Sequence, residues 1–246
     1  MRVVLNESDV YREFAPPAWA RRAIACIWLR RGDGSSVRVL PDACTDIVWR
    51  SGAGAVVAGP DSEAWVSRTR PGELIVGARL RPGAGGPAFG VALAELRNTR
   101  VPVDALGVDP RGELNGELDP EAAPAALAAI ALRRVAHAPP DPAVQAAVVR
   151  LLDPGQRVDE LATALGFSER QLRRRFLAAV GYGPKTLQRV LRLRRFLAAA
   201  GFDAGFDGMA AAAAGAGYAD QAHLARECRA LTGLTPGQLV RRGRRP

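Results

Sequence analysis

Residues 158–187 and 209–239 are two copies of one pattern. Val158, Leu161, Ala162, Gly166 and Phe167 return 51 positions later as Met209, Ala212, Ala213, Gly217 and Tyr218. After a one-residue insertion, Leu172, Arg174, Gly181, Pro184 and Leu187 return 52 positions later as Leu224, Arg226, Gly233, Pro236 and Leu239, with Phe176 falling on Cys228. An internal repeat of this length demands a repeated supersecondary unit. Each copy reads as a short helix, a Gly-aromatic turn, a second helix opened by a capping residue, and Gly-x-x-Pro. Gly166 suits the left-handed turn that ends helix 158–165. Ser168 is placed to cap the next helix, and Phe167 to plug the angle between the two. That is a helix-turn-helix pattern, whose second helix can enter a DNA major groove.

The second helices have matching chemistry. In the first, Leu172 and Phe176 lie four apart on one face, toward a core, while Arg170, Arg173 and Arg174 lie elsewhere. In the second, Asp220 can cap, Leu224 and Cys228 point inward, and Gln221, His223 and Arg226 are left to reach out. Arg pairs with phosphate and with guanine, Gln with adenine. Lys185–Ala200 reads as a linker helix, about 24 Å long at 1.5 Å per residue, enough to hold the two reading helices in successive grooves. The charge agrees. The net charge is +9, and residues 141–246 carry +8 of it, which points to a polyanion. The bland alternative is a pair of helical hairpins with solvated Arg faces.

At this point the C-terminal half resembles the DNA-binding domain of AraC/XylS-type transcriptional regulators. The resemblance rests on Gly217-Tyr218-Ala219-Asp220-Gln221-Ala222-His223-Leu224-Ala225-Arg226 with Gly233-Leu234-Thr235-Pro236, and on Gly181-Tyr182-Gly183-Pro184-Lys185 with Arg189, Arg192, Arg194 and Arg195. It implies an all-α tandem helix-turn-helix domain joined by a linker helix. The implied DNA-contacting residues are Ser168, Arg170, Arg173, Arg174, Lys185, Arg189, Gln221, His223, Ala225 and Arg226. The implied partners are double-stranded promoter or operator DNA and RNA polymerase. Two departures stand out. Cys228 occupies a position usually held by Phe. The helix before the second reading helix is almost all Ala and Gly, and Gly215 alone costs roughly 1 kcal/mol there, so the second unit is expected to be the looser one.

The first half is different. Gly, Pro, Asp and Ser clusters separate short apolar runs at Ala23–Arg30, Val37–Leu40, Asp46–Arg50, Ala55–Ala58, Ala64–Ser67 and Leu74–Leu80, which read as the strands of a small barrel or sandwich. Residues 91–97 and 120–137 read as helices, the second with Asp119 as cap and Pro120 as first position. Residues 139–142, within Ala138-Pro139-Pro140-Asp141-Pro142, read as a linker. The expected fold is thus α+β and two-domain. A β-rich domain spans 1–138. The helical domain spans 143–246, with units near 143–184 and 201–240. Residues 39–49, Gly59-Pro60 and 77–83 resemble an uncharacterised domain that often precedes this type of DNA-binding domain. In such regulators the first domain is commonly a cupin-like barrel that senses a small-molecule effector, forms a homodimer, or both.

Catalysis finds little support. Three Cys without a CxxC and only two His give no metal-site pattern. Cys44 lies between Asp42 and Asp46, whose charge raises a thiol pKa, and no His precedes residue 137 to act as base. A packed turn with Asp side chains on the backbone suits Pro41–Asp46 better. Gly83-Ala84-Gly85-Gly86 lacks the Lys-Ser/Thr of a phosphate loop. Trp28, Trp49 and Trp65 on the expected strands are either core or the wall of an effector pocket, with Arg79 and Arg81 on one strand face as anion holders. No apolar run reaches the roughly 18–20 residues that span a bilayer, and the start is polar, so a cytoplasmic, non-enzymatic regulator without a cofactor is expected. The alternative is a first domain that is a small-molecule enzyme or a Cys26/Cys44 redox sensor.

Overall fold

The computed structural model describes residues 11–109, 111–200 and 208–243. Residues 1–10, whose polar start is noted above, and 201–207, the opening of the expected second unit, lie outside the described residues. So do 244–246.

The first half is β-rich. Its strands are β1 (Tyr11–Phe14), β2 (Ile24–Asp33), β3 (Ser36–Val39), β4 (Thr45–Arg50), β5 (Gly54–Ala58), β6 (Trp65–Arg68), β7 (Pro71–Leu80) and β8 (Arg100–Pro102). Six of them form an antiparallel sheet in the order β1-β2-β7-β4-β5-β8, and β3 pairs with β6 in a separate ribbon. The alternation of side chains decides the two faces. Ile47, Trp49, Leu74, Val76, Ala78 and Leu80 pack on one side with Leu127, Ile130 and Ala131 of α2 (Ala123–His137). Cys26, Trp28 and Ile75 occupy the opposite side, toward the ribbon. Trp28 lies opposite Gly77 in register, and a Cβ on Gly77 would stand 2.0 Å from the indole. Only glycine admits the ring there.

All six expected strands are present. β1 and β8 were not legible. They are the two edges of the sheet, only four and three residues long, and an edge strand needs little apolar pattern. The helix expected at 91–97 is a single 3-10 turn, Leu93–Leu96. The helix expected from 120 begins at Ala123. Asp119 does not cap it: its Oδ1 accepts from the Glu121 N–H at 3.0 Å, which closes a preceding turn instead. An unexpected short helix, α1 (Gly85–Phe89), fills the Gly-rich stretch.

The remainder is helical: α3 (Pro142–Arg150), α4 (Val158–Ala164), α5 (Glu169–Ala179), α6 (Pro184–Ala199), α7 (Met209–Gly215), α8 (Gln221–Thr232) and α9 (Pro236–Gly243). One core gathers them, with Leu161, Leu172, Phe176, Leu193, Phe196, Leu224 and Cys228 at its centre. Two residues of the β-rich half, Leu40 and Ala43, belong to that same helical core. The halves also meet where α1 and Leu93–Leu96 pack on α5. A Cβ on Gly86 would lie 2.2 Å from the Ala178 carbonyl oxygen, so the backbones touch there.

Candidate nucleic-acid interface

The repeat seen in the sequence is a repeat of hydrogen bonds. Gly166 takes φ +72°, and the Phe167 N–H returns to the Ala162 carbonyl at 2.9 Å. Fifty-one residues on, Gly217 takes φ +88°, and the Tyr218 N–H returns to the Ala213 carbonyl at 3.0 Å. Each turn aims a capped helix. Ser168 Oγ accepts from the Gln171 N–H at 3.2 Å, while Gln171 Oε1 accepts from the Ser168 N–H at 2.9 Å, a complete capping box. Asp220 Oδ1 accepts from the His223 N–H at 2.6 Å. Both caps satisfy helix-end N–H groups that would otherwise stay unpaired.

On α5, Leu172 and Phe176 are fully buried, and Arg170, Arg173 and Arg174 are exposed. The side chains of these three make no hydrogen bond or ion pair among the described residues. The next residue behaves otherwise. Arg175 pairs with Asp141 at 2.5 Å and lies 4.7 Å over the Phe167 ring. Asp141 also caps α3, accepting from the Ala143 N–H at 2.9 Å, so one carboxylate fixes α3 against the helix behind the exposed arginines. On α8, Gln221 and Arg226 are exposed, and Ala225 is half-buried between them. Lys185 is exposed in the first turn of α6.

Two residues expected to face outward are engaged elsewhere. The His223 ring packs edge-on against Tyr218, 5.3 Å between centroids. Its Nδ1 accepts from the Ala219 N–H at 3.4 Å, and its Nε2 stands 3.8 Å from Glu227. Arg189 Nε donates to Glu227 Oε1 at 2.8 Å, and Arg192 Nη2 reaches both Glu227 oxygens at 3.2 and 3.3 Å. Glu227, buried on the inner side of α8, is therefore a clamp between α6 and α8. Sequence reasoning missed it. The available signal was an acid at i+4 from His223 on an otherwise basic helix. Arg195 ties the other end of α6, donating to the Leu152 carbonyl at 2.7 Å and the Ala216 carbonyl at 3.4 Å.

In the β-rich half, a cavity of about 100 Å³ lies between the sheet and the ribbon, walled by Tyr11, Trp28, Arg30, Val39, Trp65 and Arg100 among others. Of the expected effector residues, it brings together Trp28 and Trp65, the latter with the Arg100 guanidinium 4.6 Å over its ring. Trp49 is not there. Strand alternation turns it to the α2 side, fully buried, where its indole N–H donates to the Asn115 carbonyl at 2.8 Å. Arg79 is not available to an anion either. It is buried among Glu13, Asp42 and Asp46 at 3.5, 3.6 and 3.3 Å. Burial opposes its charge, but Asp46 and Asp42 outweigh burial and hold its pKa above the ordinary range. Arg81 lies beyond the end of β7 and donates to the Arg21 carbonyl at 2.8 Å, so the two arginines do not share a site.

The Pro41–Asp46 segment is a packed turn: Asp42 Oδ1 accepts from the Cys44 N–H at 2.9 Å, and Ala43 takes φ +67°. All three cysteines are free thiols. Burial pushes Cys26 up to about 11 and Cys228 up to about 12. Burial, and next the charge of Asp42, push Cys44 upward as well. Such thiols are poor nucleophiles at neutral pH. Among the described residues no group of three or more His, Cys, Asp or Glu side chains is placed to hold a metal ion, and no helix is long and apolar enough to cross a membrane.

Residues 161–242 match a helix-turn-helix domain family. The C-terminal domain is an AraC-type helix-turn-helix domain. Residues 12–102 match a domain of unknown function, DUF6597. With its AraC-type domain the chain is a DNA-binding transcription regulator. No curated protein matches it. Among solved structures it is similar to the crystal structure of ToxT from Vibrio cholerae O395, at 8% identity and a TM-score of 0.45, covering 96% of this chain and 98% of that one. The helix-turn-helix match takes in α5, α6, α7 and α8, hence the second helix of each repeat and the helix that joins the repeats.

Proposed function

We propose that α5 and α8 read two successive major grooves on one face of the DNA. Arg170, Arg173 and Arg174 serve in the first groove, and Gln221, Ala225 and Arg226 in the second. The observation that carries this reading is the unsatisfied basic face of α5. It presents three exposed arginines, without carboxylate partners among the described residues, on a helix whose start is fixed by a capping box. Ser168 and Lys185 sit at the N-terminal ends of α5 and α6, where a phosphate is favoured by the helix dipole. Arg189 and His223 contribute by holding the shape of α8 rather than by reaching bases.

Regulation passes through the contact between the two halves. Arg38 of β3 donates from Nη1 to the Thr232 carbonyl at 3.1 Å, at the C-terminal end of α8. The neighbouring Val39 lines the cavity of the β-rich half. A small molecule in that cavity, or dimerisation that shifts β3, therefore acts on the second reading helix directly.

Selection of bound sequences from a random DNA pool tests the reading. It expects two short elements about one helical turn apart, roughly 10 base pairs. On the selected site, Arg173→Ala and Arg226→Ala each cost about 1–3 kcal/mol if they read a base. A uniform loss on all sequences marks them as phosphate contacts instead. Tight, salt-sensitive binding with no enriched element would refute sequence-specific reading.

A further inference from the structure

We propose that Arg175 is a positioning residue for DNA reading: with Asp141 and Phe167 it sets how α5 is turned toward the first groove. A second triad of the same kind, with its charges exchanged, sets α8. The inference rests on the assignment of α5 and α8 as reading helices.

The repeat carries it. Arg175 stands 52 residues before Glu227, the same step that relates Leu172 to Leu224 and Phe176 to Cys228. Each of the two reaches back to the helix that precedes its own helix-turn-helix. Arg175 Nη1 meets Asp141 Oδ2 at 2.5 Å, at the N-cap of α3. Glu227 meets Arg189 and Arg192 of α6 at 2.8 and 3.2 Å. In both units the paired arginine also covers the aromatic residue of the turn. The Arg175 guanidinium lies 4.7 Å over the Phe167 ring, and that of Arg192 lies 5.7 Å over the Tyr218 ring. The first triad has its arginine on the reading helix and its acid before α3. The second has its acid on the reading helix and its arginine on α6.

The place of Arg175 on α5 decides what the triad can do. At about 100° per residue, Arg170, Arg173 and Arg174 spread over roughly 100° of the helix, and Arg175 lies about 100° further round, on the flank toward α3. Leu172 and Phe176, fully buried, set how deep α5 lies in the core. Arg175, held at the flank by a charge and a ring, sets its turn about the axis. A side-chain tip roughly 6 Å from the axis moves about 1 Å for a turn of about 10°. Productive recognition geometry is held to within about 0.5 Å. The side chains of Arg175 and Asp141 are 43% and 26% exposed, so their pair adds little to stability. What it supplies is direction.

The exchange of sign has its own effect. In the place of Glu227 an arginine would face Arg189 and Arg192, and in the place of Arg175 a glutamate would face Asp141. Two units of one pattern are thereby kept from packing against each other's preceding helix, because like charges would meet.

The test compares full-length protein with Arg175→Met, Asp141→Asn, Arg175→Glu, and Arg175→Glu combined with Asp141→Asn. Asparagine caps a helix as aspartate does, so Asp141→Asn removes the charge and keeps α3. All four variants should keep the wild-type circular dichroism. Residual dipolar couplings of backbone N–H groups, measured without DNA, give the tilt and turn of α5 relative to α3. Competition binding gives the affinity ratio between the selected site and the same site altered in its first or its second element. Arg175→Met and Asp141→Asn should shift the α5 couplings and lower the first-element ratio roughly tenfold, the order of one bidentate base contact. The second-element ratio and the affinity for random duplex should stay unchanged. Arg175→Glu should do more, and adding Asp141→Asn should bring it back to the level of Arg175→Met. Couplings that stay at wild-type values overturn the proposal, and so do shifted couplings with an unchanged first-element ratio. An equal loss on every sequence, with a salt slope lower by about one, overturns it too, since Arg175 would then be a phosphate contact. If the wild-type protein selects no paired elements, the DNA reading itself fails, and the couplings alone decide whether Arg175 positions α5.

Discussion

Glu227 offers the sharpest test of how the second reading helix is held. Its side chain is 10% exposed, while Arg189 and Arg192 are 38% and 22% exposed. Hydrogen bonds to charged groups contribute about 1.5–3 kcal/mol each, and exposed ion pairs only about 0–1 kcal/mol. Once the acid is removed, water reaches both guanidinium groups, so the loss stays below the sum of the separate bonds. Glu227→Ala should therefore destabilise the helical half by about 2–3 kcal/mol. Glu227→Gln keeps one acceptor oxygen and should cost about 1 kcal/mol. Urea unfolding followed by far-UV circular dichroism measures both, at low and high salt. A double-mutant cycle with Arg189→Ala should return a coupling of about 1 kcal/mol. If Glu227→Ala unfolds within about 0.5 kcal/mol of wild type, a typical surface effect, the clamp is ornamental and the reasoning fails. Retained stability with lost DNA affinity would mean that Glu227 orders α8 without adding to its stability.

Three further outcomes are expected. Gly215 ends α7 with nothing within 4 Å of a would-be Cβ, so Gly215→Ala should raise stability by about 0.5–1 kcal/mol in thermal melts; a loss would show strain at that turn. Gly86→Ala sets a Cβ against the Ala178 carbonyl and should cost about 1–3 kcal/mol through overpacking, read as faster proteolytic cleavage between residues 138 and 142; unchanged cleavage would mean that the contact gives way without cost. At pH 8 the raised thiol pKa of Cys26, about 11, leaves few thiolates, so iodoacetamide should label it in folded protein about a hundredfold or more slower than in urea; rapid labelling of native protein would revive a redox role.

The helical half was legible because its signals are local. A glycine at φ +72°, a serine three residues before a glutamine, and apolar residues at i and i+4 such as Leu172 and Phe176 are all decided within one turn of chain. The strands of the sheet interior were legible for the same reason. What stayed hidden depends on distant neighbours. Trp49 and Trp28 sit on similar apolar strands, but only the pairing with β7 tells which face each takes. Arg79 and Arg81 share a strand period, yet β7 ends between them, and the acids that claim Arg79 come from two distant segments, β1 and the turn Pro41–Asp46. Arg189 resembles a DNA contact until Glu227, thirty-eight residues on, folds back against it. The looser second unit anticipated from its Ala-rich helix has its bulk supplied from outside, as Tyr218 packs edge-on against Phe196, 6.5 Å between centroids.

Leu40 and Ala43 belong to the β-rich half by sequence and to the helical core by position. A fragment begun after the Pro-rich joint would open two holes in its own interior. Exchange of the first half for another sensor would have to bring substitutes of matching shape to those two places. The joint at 139–142 is thus a seam in the chain but not in the packing, and modular rearrangement of this protein is governed by a loop some hundred residues upstream of it.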